Sequence, residues 1–397
     1  MRTSTKTLHF PLAGLDRSRS YGVATEPSEN RVYATPLAVN VRGTDVFGGR
    51  YRGGSRPGLS EIAPPDKPFD VFDKPTTFYR GRKIYADGKL WYASRSGDIT
   101  DFNVSGDGDD PSRPVIGKVG FASLNDTEPI TAVFCVATSA LFVATRRSVW
   151  MCEGDVTTGS FVRVSSYAGV VSKDAWAYDG TAFYFVSTNG IYAFAPGQGV
   201  VRVSDNVPEE LSGITSAFCA YDPECRALHI FTNMGDWFYD IAAKAWWPQE
   251  FHADHRPVAH GVLFDKVMFL GKDGRYRYFD KQSVADGEYS IDTVVAIGPI
   301  RAGTSEDVDG MISKLSATLA VPSGQVVCDI YVGKSAEESV AAALSKRPVA
   351  SVELIGGSTR NFRPRVRGAW VTLVLSSSDS WAFESMTAEF KSLGGLR

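Results

Sequence analysis

The sequence predicts an all-β chain: a β-propeller of five or six blades followed by a C-terminal β-sandwich. Three observations carry that expectation. A strand–turn–strand phrase returns five times at intervals close to the length of one propeller blade. The composition joins 38 glycines to 23 Phe, 16 Tyr and 8 Trp, which suits short strands between tight turns. Past residue 285 the phrase stops and strand-like runs of a different spacing begin.

The repeated phrase is an apolar or aromatic run that closes on a small residue, then a turn, then a second aromatic-rich run. It reads 90–94, a turn at 96–98, and 99–102; then 141–145 with 149–152; 183–187 with 191–194; 228–232 with 237–239; and 267–271 with 276–279. The closing residues are Ser94, Thr145, Ser187, Thr232 and Gly271, so the steps are 51, 42, 45 and 39 residues. A four-stranded blade takes about 40–50 residues. The Asn-Gly and Asp-Gly steps at 189–190 and 273–274 supply the positive φ that two-residue hairpins require. Each phrase has room for a strand before it (130–134, 175–178, 214–219, 258–263) and one after it (161–165, 199–203, 245–247), giving four strands per unit. Short edges of this kind limit edge-to-edge pairing. The alternative is a β-sandwich with similar hairpins.

Residues 76–285 are thus assigned to the propeller and 288–397 to a jelly-roll-like sandwich. The latter has strands at 291–297, 315–321, 326–332, 349–354, 370–375 and 386–390, and a helix at 336–344 rich in Ala and Glu. Residues 1–75 read as an extended arm rich in Gly, Arg and Pro, ordered on the propeller or on a neighbour.

The bulk numbers exclude several classes. Charged residues make up 22% and the net charge is −3, so the surface is not built to grip nucleic acid. The five cysteines are too few and too odd in number for a disulfide framework. Cys135, Cys152, Cys219 and Cys328 sit in apolar runs, where cysteine acts as a small hydrophobe. The first residues lack the apolar core of a signal peptide. No stretch reaches the ~18 apolar residues of a membrane span. The expectation is synthesis in a reducing cytoplasm and no membrane contact.

No catalytic motif emerges. A nucleophile elbow, a phosphate-binding loop and a dinucleotide fingerprint are all missing from the sequence. His252, Asp254, His255 and His260 lie close together, but zinc sites use three or four firm ligands, and a loop of surface histidines is the simpler reading. Asp107, Asp109 and Asp110 could face a calcium ion, yet no bidentate Glu follows, so a solvated connection is expected. Asp98, Asp101, Asp236, Asp240 and Asp273 recur beside the turns, where Asp caps its own backbone; paired glycosidase carboxylates would be unequal. The expectation is no enzyme, no cofactor and no metal.

Arginines gather at both ends: Arg42, Arg50, Arg52 and Arg56, then Arg360, Arg363, Arg365 and Arg367. These planar cations are candidates for subunit contact, forking onto carboxylates of a neighbour; the simpler reading is scattered solvated charge.

Several segments resemble propeller proteins of tailed-bacteriophage virions. They are NVR at 40–42 with RYRGGSRPGL at 50–59, the turn at 169–171 leading into AFYFVSTNGIYAF at 182–194 and RVSD at 202–205, and WAFES at 381–385 with the final GGLR. The family resembled is the tail nozzle, tail tubular or DNA-stabilisation type of neck protein. The resemblance implies a six-fold homo-oligomeric ring in the virion, contacting portal, adaptor and other tail proteins, with DNA passing through its channel. Near-neutral charge suits such a conduit, because each neutralised phosphate would add drag through counterion exchange. The competing functions are a glycan-binding adhesion propeller and a glycoside hydrolase. On the arm reading, deleting residues 1–60 should leave a soluble propeller that no longer assembles.

Overall fold

The computed structural model describes residues 3–21, 33–64, 74–105, 108–119, 128–136, 140–207, 209–263, 266–303 and 308–395. The chain is all-β, built of many small antiparallel sheets. It divides into two compact units. One comprises Pro65–Asp236 with Val258–Val267, and the other Met1–Pro64, Trp237–Pro257 and Met268–Arg397. These units do not follow the expected boundaries near residues 75 and 285.

Five sheets of four strands follow one another along the chain. The first is Thr76–Tyr79, Arg82–Asp87, Leu90–Ala93 and Val115–Gly117. The second is Ile130–Val136, Ala140–Thr145, Val149–Glu153 and Phe161–Ser165. The third is Trp176–Tyr178, Phe183–Ser187, Gly190–Ala195 and Gly199–Arg202. The fourth is Ala217–Asp222, Ala227–Thr232, Gly235–Asp240 and Ala245–Gln249. The fifth joins Pro257–Leu263, Lys266–Gly271 and Tyr276–Asp280 to Gly58–Ile62 from the other end of the chain.

The chemistry of the hairpins explains these elements. In Phe183–Ser187 every side chain is buried, as β-branched and aromatic residues favour. At the turn after Lys266–Gly271, Gly274 has φ +80°, which a side chain would strain, and Asp273 accepts the Arg275 N–H at 3.1 Å. Four of the five expected hairpins stand where the sequence placed them. The first was set one hairpin too late. Its pairing is Arg82–Asp87 with Leu90–Ala93, Asp87 opposite Leu90, whereas residues 99–102 form no strand. There Asp98 accepts the Thr100 N–H and Asp101 the Asn103 N–H, so side chains hold the backbone in turns that compete with a ladder.

The N-terminal segment is not an arm apart. Thr3–Leu8 pairs with the long strand Phe383–Gly395, Ala38–Val39 with Thr293–Arg301, and Gly58–Ile62 with Tyr276–Asp280. Val41–Thr44 and Tyr51–Ser55 form a hairpin whose end meets residues 381–382: the Ser55 N–H donates to the Trp381 carbonyl at 3.0 Å. A Cβ at Gly54 would lie 2.3 Å from that carbonyl oxygen, so only glycine allows the approach. Phe10 sits among Trp247, Trp381 and Phe383, with ring centroids 5.9, 6.2 and 6.1 Å away.

The C-terminal strands form two five-stranded sheets. One runs Thr3–Leu8, Phe383–Gly395, Val308–Leu319, Thr359–Phe362, with Val366–Gly368 also paired to Val308–Leu319. The other runs Ala38–Val39, Thr293–Arg301, Trp370–Ser377, Gln325–Gly333, Ala350–Ile355. Helix Ala336–Leu344 forms as its composition predicts. Ser335 caps it by accepting the Glu338 N–H, and Glu338 accepts the Lys334 N–H in return. Its Ala343 packs with Ala296, Tyr331 and Val374. No helix among the described residues is long and apolar enough to cross a membrane, and no disulfide links the five cysteines.

Candidate functional site

The eight arginines fall into two groups. Arg56, only 1% exposed, has all five donors engaged: Nε to Asn40 Oδ1 at 2.9 Å, one terminal nitrogen to Asp286 and the Pro57 carbonyl, the other to Asp286 at 2.6 Å and the Glu250 carbonyl. Its guanidinium also lies 4.6 Å from the Phe251 ring centroid. Arg42, 4% exposed, stacks over Phe238 at 3.9 Å and Phe279 at 4.8 Å. Arg52 pairs with Asp45 at 2.9 Å and with Glu384. Arg42 and Arg56 are therefore internal staples and not subunit contacts: the sequence showed the cations but not the partners that the fold brings to them. Arg50 is exposed, and its backbone N–H donates to buried Asp45. Arg360, Arg363, Arg365 and Arg367 are exposed. They lie in or between Thr359–Phe362 and Val366–Gly368, and Arg367 meets Asp309 at 3.1 Å.

The turn carboxylates act on the backbone and on arginine. Asp98, Asp101, Asp240 and Asp273 each accept a backbone N–H two or three residues on, and Asp236 is buried. The strongest case is Asp273, which the Arg277 guanidinium holds down to about 2, with burial opposing and the Arg275 N–H assisting. Its folded-state value lies below its ordinary 3.8, so this contribution to stability is complete above that value and fades as pH falls toward 2. Denaturation midpoints measured from pH 5 to 2 should fall over that window, and less steeply in Asp273→Asn. Equal slopes for the two proteins would show that the pair is energetically idle.

The histidine loop is held by stacking. The His252 ring lies 3.7 Å from that of Tyr289, nearly parallel, and the His255 ring meets Tyr289 edge-on at 4.9 Å. His252 Nδ1 is 3.9 Å from Asp254. His260 belongs to the other unit, stacked on Phe218. In the acidic loop Asp107 lies outside the described residues. Asp110 binds Arg95 at 2.8 Å and the Ser112 hydroxyl, so it is engaged within the chain.

A different cluster stands out in the fourth sheet. Ala217–Asp222 and Ala227–Thr232 pair with Ala220 opposite His229 and Asp222 opposite Ala227. The turn between them carries Cys225, with Arg226 at φ +54°. Asp222, Cys225 and His229 bring their ligand atoms within 4.8 Å of one another. The Cys225 thiol donates to Asp222 Oδ2 at 3.0 Å, and His229 Nε2 lies 3.5 Å from the same oxygen. The His229 side chain is fully buried and that of Asp222 is 15% exposed. Burial pushes the Asp222 carboxyl up, but His229, Cys225 and the Glu224 N–H more than offset this and hold it well below the usual carboxylate range. In the sequence the group carries no familiar motif. Its spacing, Asp-x2-Cys-x3-His, straddles a hairpin, and Cys225 was the one cysteine outside an apolar run.

No family model and no curated protein matches the chain. Among solved structures, it is similar to the extracellular domain of a putative hybrid two-component system from B. thetaiotaomicron, with 9% identity and a TM-score of 0.38 over 60% of this chain and 32% of that one. It is also similar to a chain of a mitotic checkpoint complex, with 11% identity and a TM-score of 0.33 over 64% of this chain and 78% of that one. The chain thus spans about a third of the first of these structures. Likeness this distant carries no functional argument.

Proposed function

We propose that this chain is a structural subunit of a tailed-phage virion, assembling as a homo-oligomeric ring in the neck or tail around the DNA channel. In this reading the five four-stranded sheets are blades of a five-bladed propeller. Its last blade is completed by the N-terminal strand Gly58–Ile62. The two five-stranded sheets form the accompanying β-sandwich.

The observation that supports the reading best is the exposed basic edge at residues 359–368. Four arginines occur within eight residues, in or between two short strands that pair with Val308–Leu319. Charge on an edge strand discourages pairing with a further strand. What such an edge offers a neighbour is guanidinium groups for carboxylates, the contact a head-to-tail ring interface needs. The resemblance of residues 50–59 and 381–385 to phage neck proteins agrees with this.

The test is size-exclusion chromatography with light scattering, electron microscopy, and mass spectrometry of purified particles of the encoding phage. The full chain should form rings and appear in particles. A variant with Arg360, Arg363, Arg365 and Arg367 each changed to Glu should stay folded, since exposed substitutions cost about 0.5 kcal/mol or less apiece, but should elute as a monomer. A wild-type chain that stays monomeric and is absent from particles would end the proposal.

A further inference from the structure

We propose that Asp222, Cys225 and His229 form a binding site for a zinc ion at the tip of the fourth sheet's first hairpin. The inference is independent of the virion reading, because it rests on one hairpin.

Three features support it. The donor set is a thiol, an imidazole and a carboxylate, which together suit a borderline-soft divalent ion such as zinc. Two of the three spacings are close to what zinc needs, and the sulfur and nitrogen lie within 4.8 Å of each other. Zinc takes sulfur at about 2.3 Å and nitrogen or oxygen at about 2.0–2.2 Å, so tetrahedral donors lie about 3.3–3.7 Å apart. The observed separations are 3.5 Å for nitrogen to oxygen and 3.0 Å for sulfur to oxygen. The second must widen by only about half an ångström, which a turn residue can supply by rotating χ1.

The third feature is preorganisation. His229 is fixed on a buried strand position, 0% exposed, by the pairing with Ala220. Asp222 is anchored by accepting the Glu224 N–H at 2.9 Å through its other oxygen, leaving Oδ2 for the cluster. Little side-chain freedom is left to lose on binding. Three protein ligands leave a fourth position for water or an added ligand.

Binding exchanges one proton for the metal. The Cys225 thiol loses its proton to solvent as the sulfur–zinc bond forms, while His229 Nε2 and Asp222 Oδ2 each supply a lone pair. No electron is transferred. The ion would bridge both strands and the turn, tying the hairpin closed.

The experiment uses the full chain, stripped with a chelator and titrated with Zn²⁺ against a chromophoric competitor, then with Co²⁺ as a spectroscopic stand-in. We expect one equivalent of zinc, proton release on binding, and a cobalt complex with a sulfur-to-cobalt charge-transfer band and the strong visible bands of a four-coordinate ion. Cys225→Ser lies on a turn and should fold; it should lose the charge-transfer band. Asp222→Asn should weaken zinc binding by at least about tenfold. Cys135→Ser, outside the group, should leave the band in place, with circular dichroism confirming the fold of each variant. A wild-type chain that binds no zinc in the micromolar range, or a charge-transfer band that survives in Cys225→Ser, would overturn the proposal and leave the group as a hydrogen-bonded hairpin lock.

Discussion

Deleting residues 1–60 is expected to leave a chain that is insoluble or melts without cooperativity. The sequence suggested instead a detachable arm whose loss spares a soluble core. The difference comes from what the segment pairs with. Thr3–Leu8 lines up with six consecutive residues of the C-terminal strand, from Met386 to Lys391. Removing Gly58, Leu59 and Ser60 unpairs Phe279 and Tyr278 and leaves the fifth sheet with three full strands. Phe10 leaves a gap among Trp247, Trp381 and Phe383, and a Phe lost from such a site alone costs about 3–5 kcal/mol. Arg56 leaves Asp286 buried without its cation. Together these losses are of the same order as the ~5–15 kcal/mol by which a domain is stable. Expression, size-exclusion chromatography and a thermal melt followed by circular dichroism decide the matter. A soluble truncated chain with one sharp transition would restore the arm picture.

The strands that were legible share one property: both periodicity and turn chemistry point the same way. At 183–194 apolar runs flank Asn-Gly, and at 325–333 Val326, Cys328 and Ile330 alternate onto a buried face. The helix at 336–344 has its cap and its composition in agreement. The other strands lack such signals. Thr3–Leu8 has one buried side chain in six, and Thr359–Phe362 has none fully buried, because both are edge strands whose registry is set by their partners. Gly58–Ile62 looked like loop because its glycine is there to let the Ala285 carbonyl come close. Among the arginines, Arg56 and Arg360 are indistinguishable in sequence. Burial against Asp286, 230 residues away, separates them, and no local pattern encodes that distance. The Asp222–Cys225–His229 group was visible in principle, since its spacing is short, but only once Ala220 is known to face His229.

Arg56→Met should cost about 3–5 kcal/mol, the penalty for removing one partner of a buried ion pair and leaving the other charge behind. The fork is doubly bonded, at 3.0 and 2.6 Å, and Asp286 also accepts the Leu59 N–H at 3.0 Å. Asn40 would lose its guanidinium donor while still accepting the Glu250 N–H at 2.8 Å. Asp286→Leu should be comparably destabilising, because it strands the cation and the Leu59 N–H together. The double variant, Arg56→Met with Asp286→Leu, should recover much of the loss, since an apolar pair of similar volume removes the uncompensated charge. Urea denaturation of the four proteins gives the coupling directly. The same set separates the two roles this arginine has been given. If Arg56→Met keeps wild-type stability but no longer assembles, it is a contact residue after all. If stability falls in both single variants and returns in the double, Arg56 holds Asn40, Asp286 and residues 57–59 together from inside its own chain. On the proposed ring reading, subunit contact is then left to the exposed arginines at 360–367.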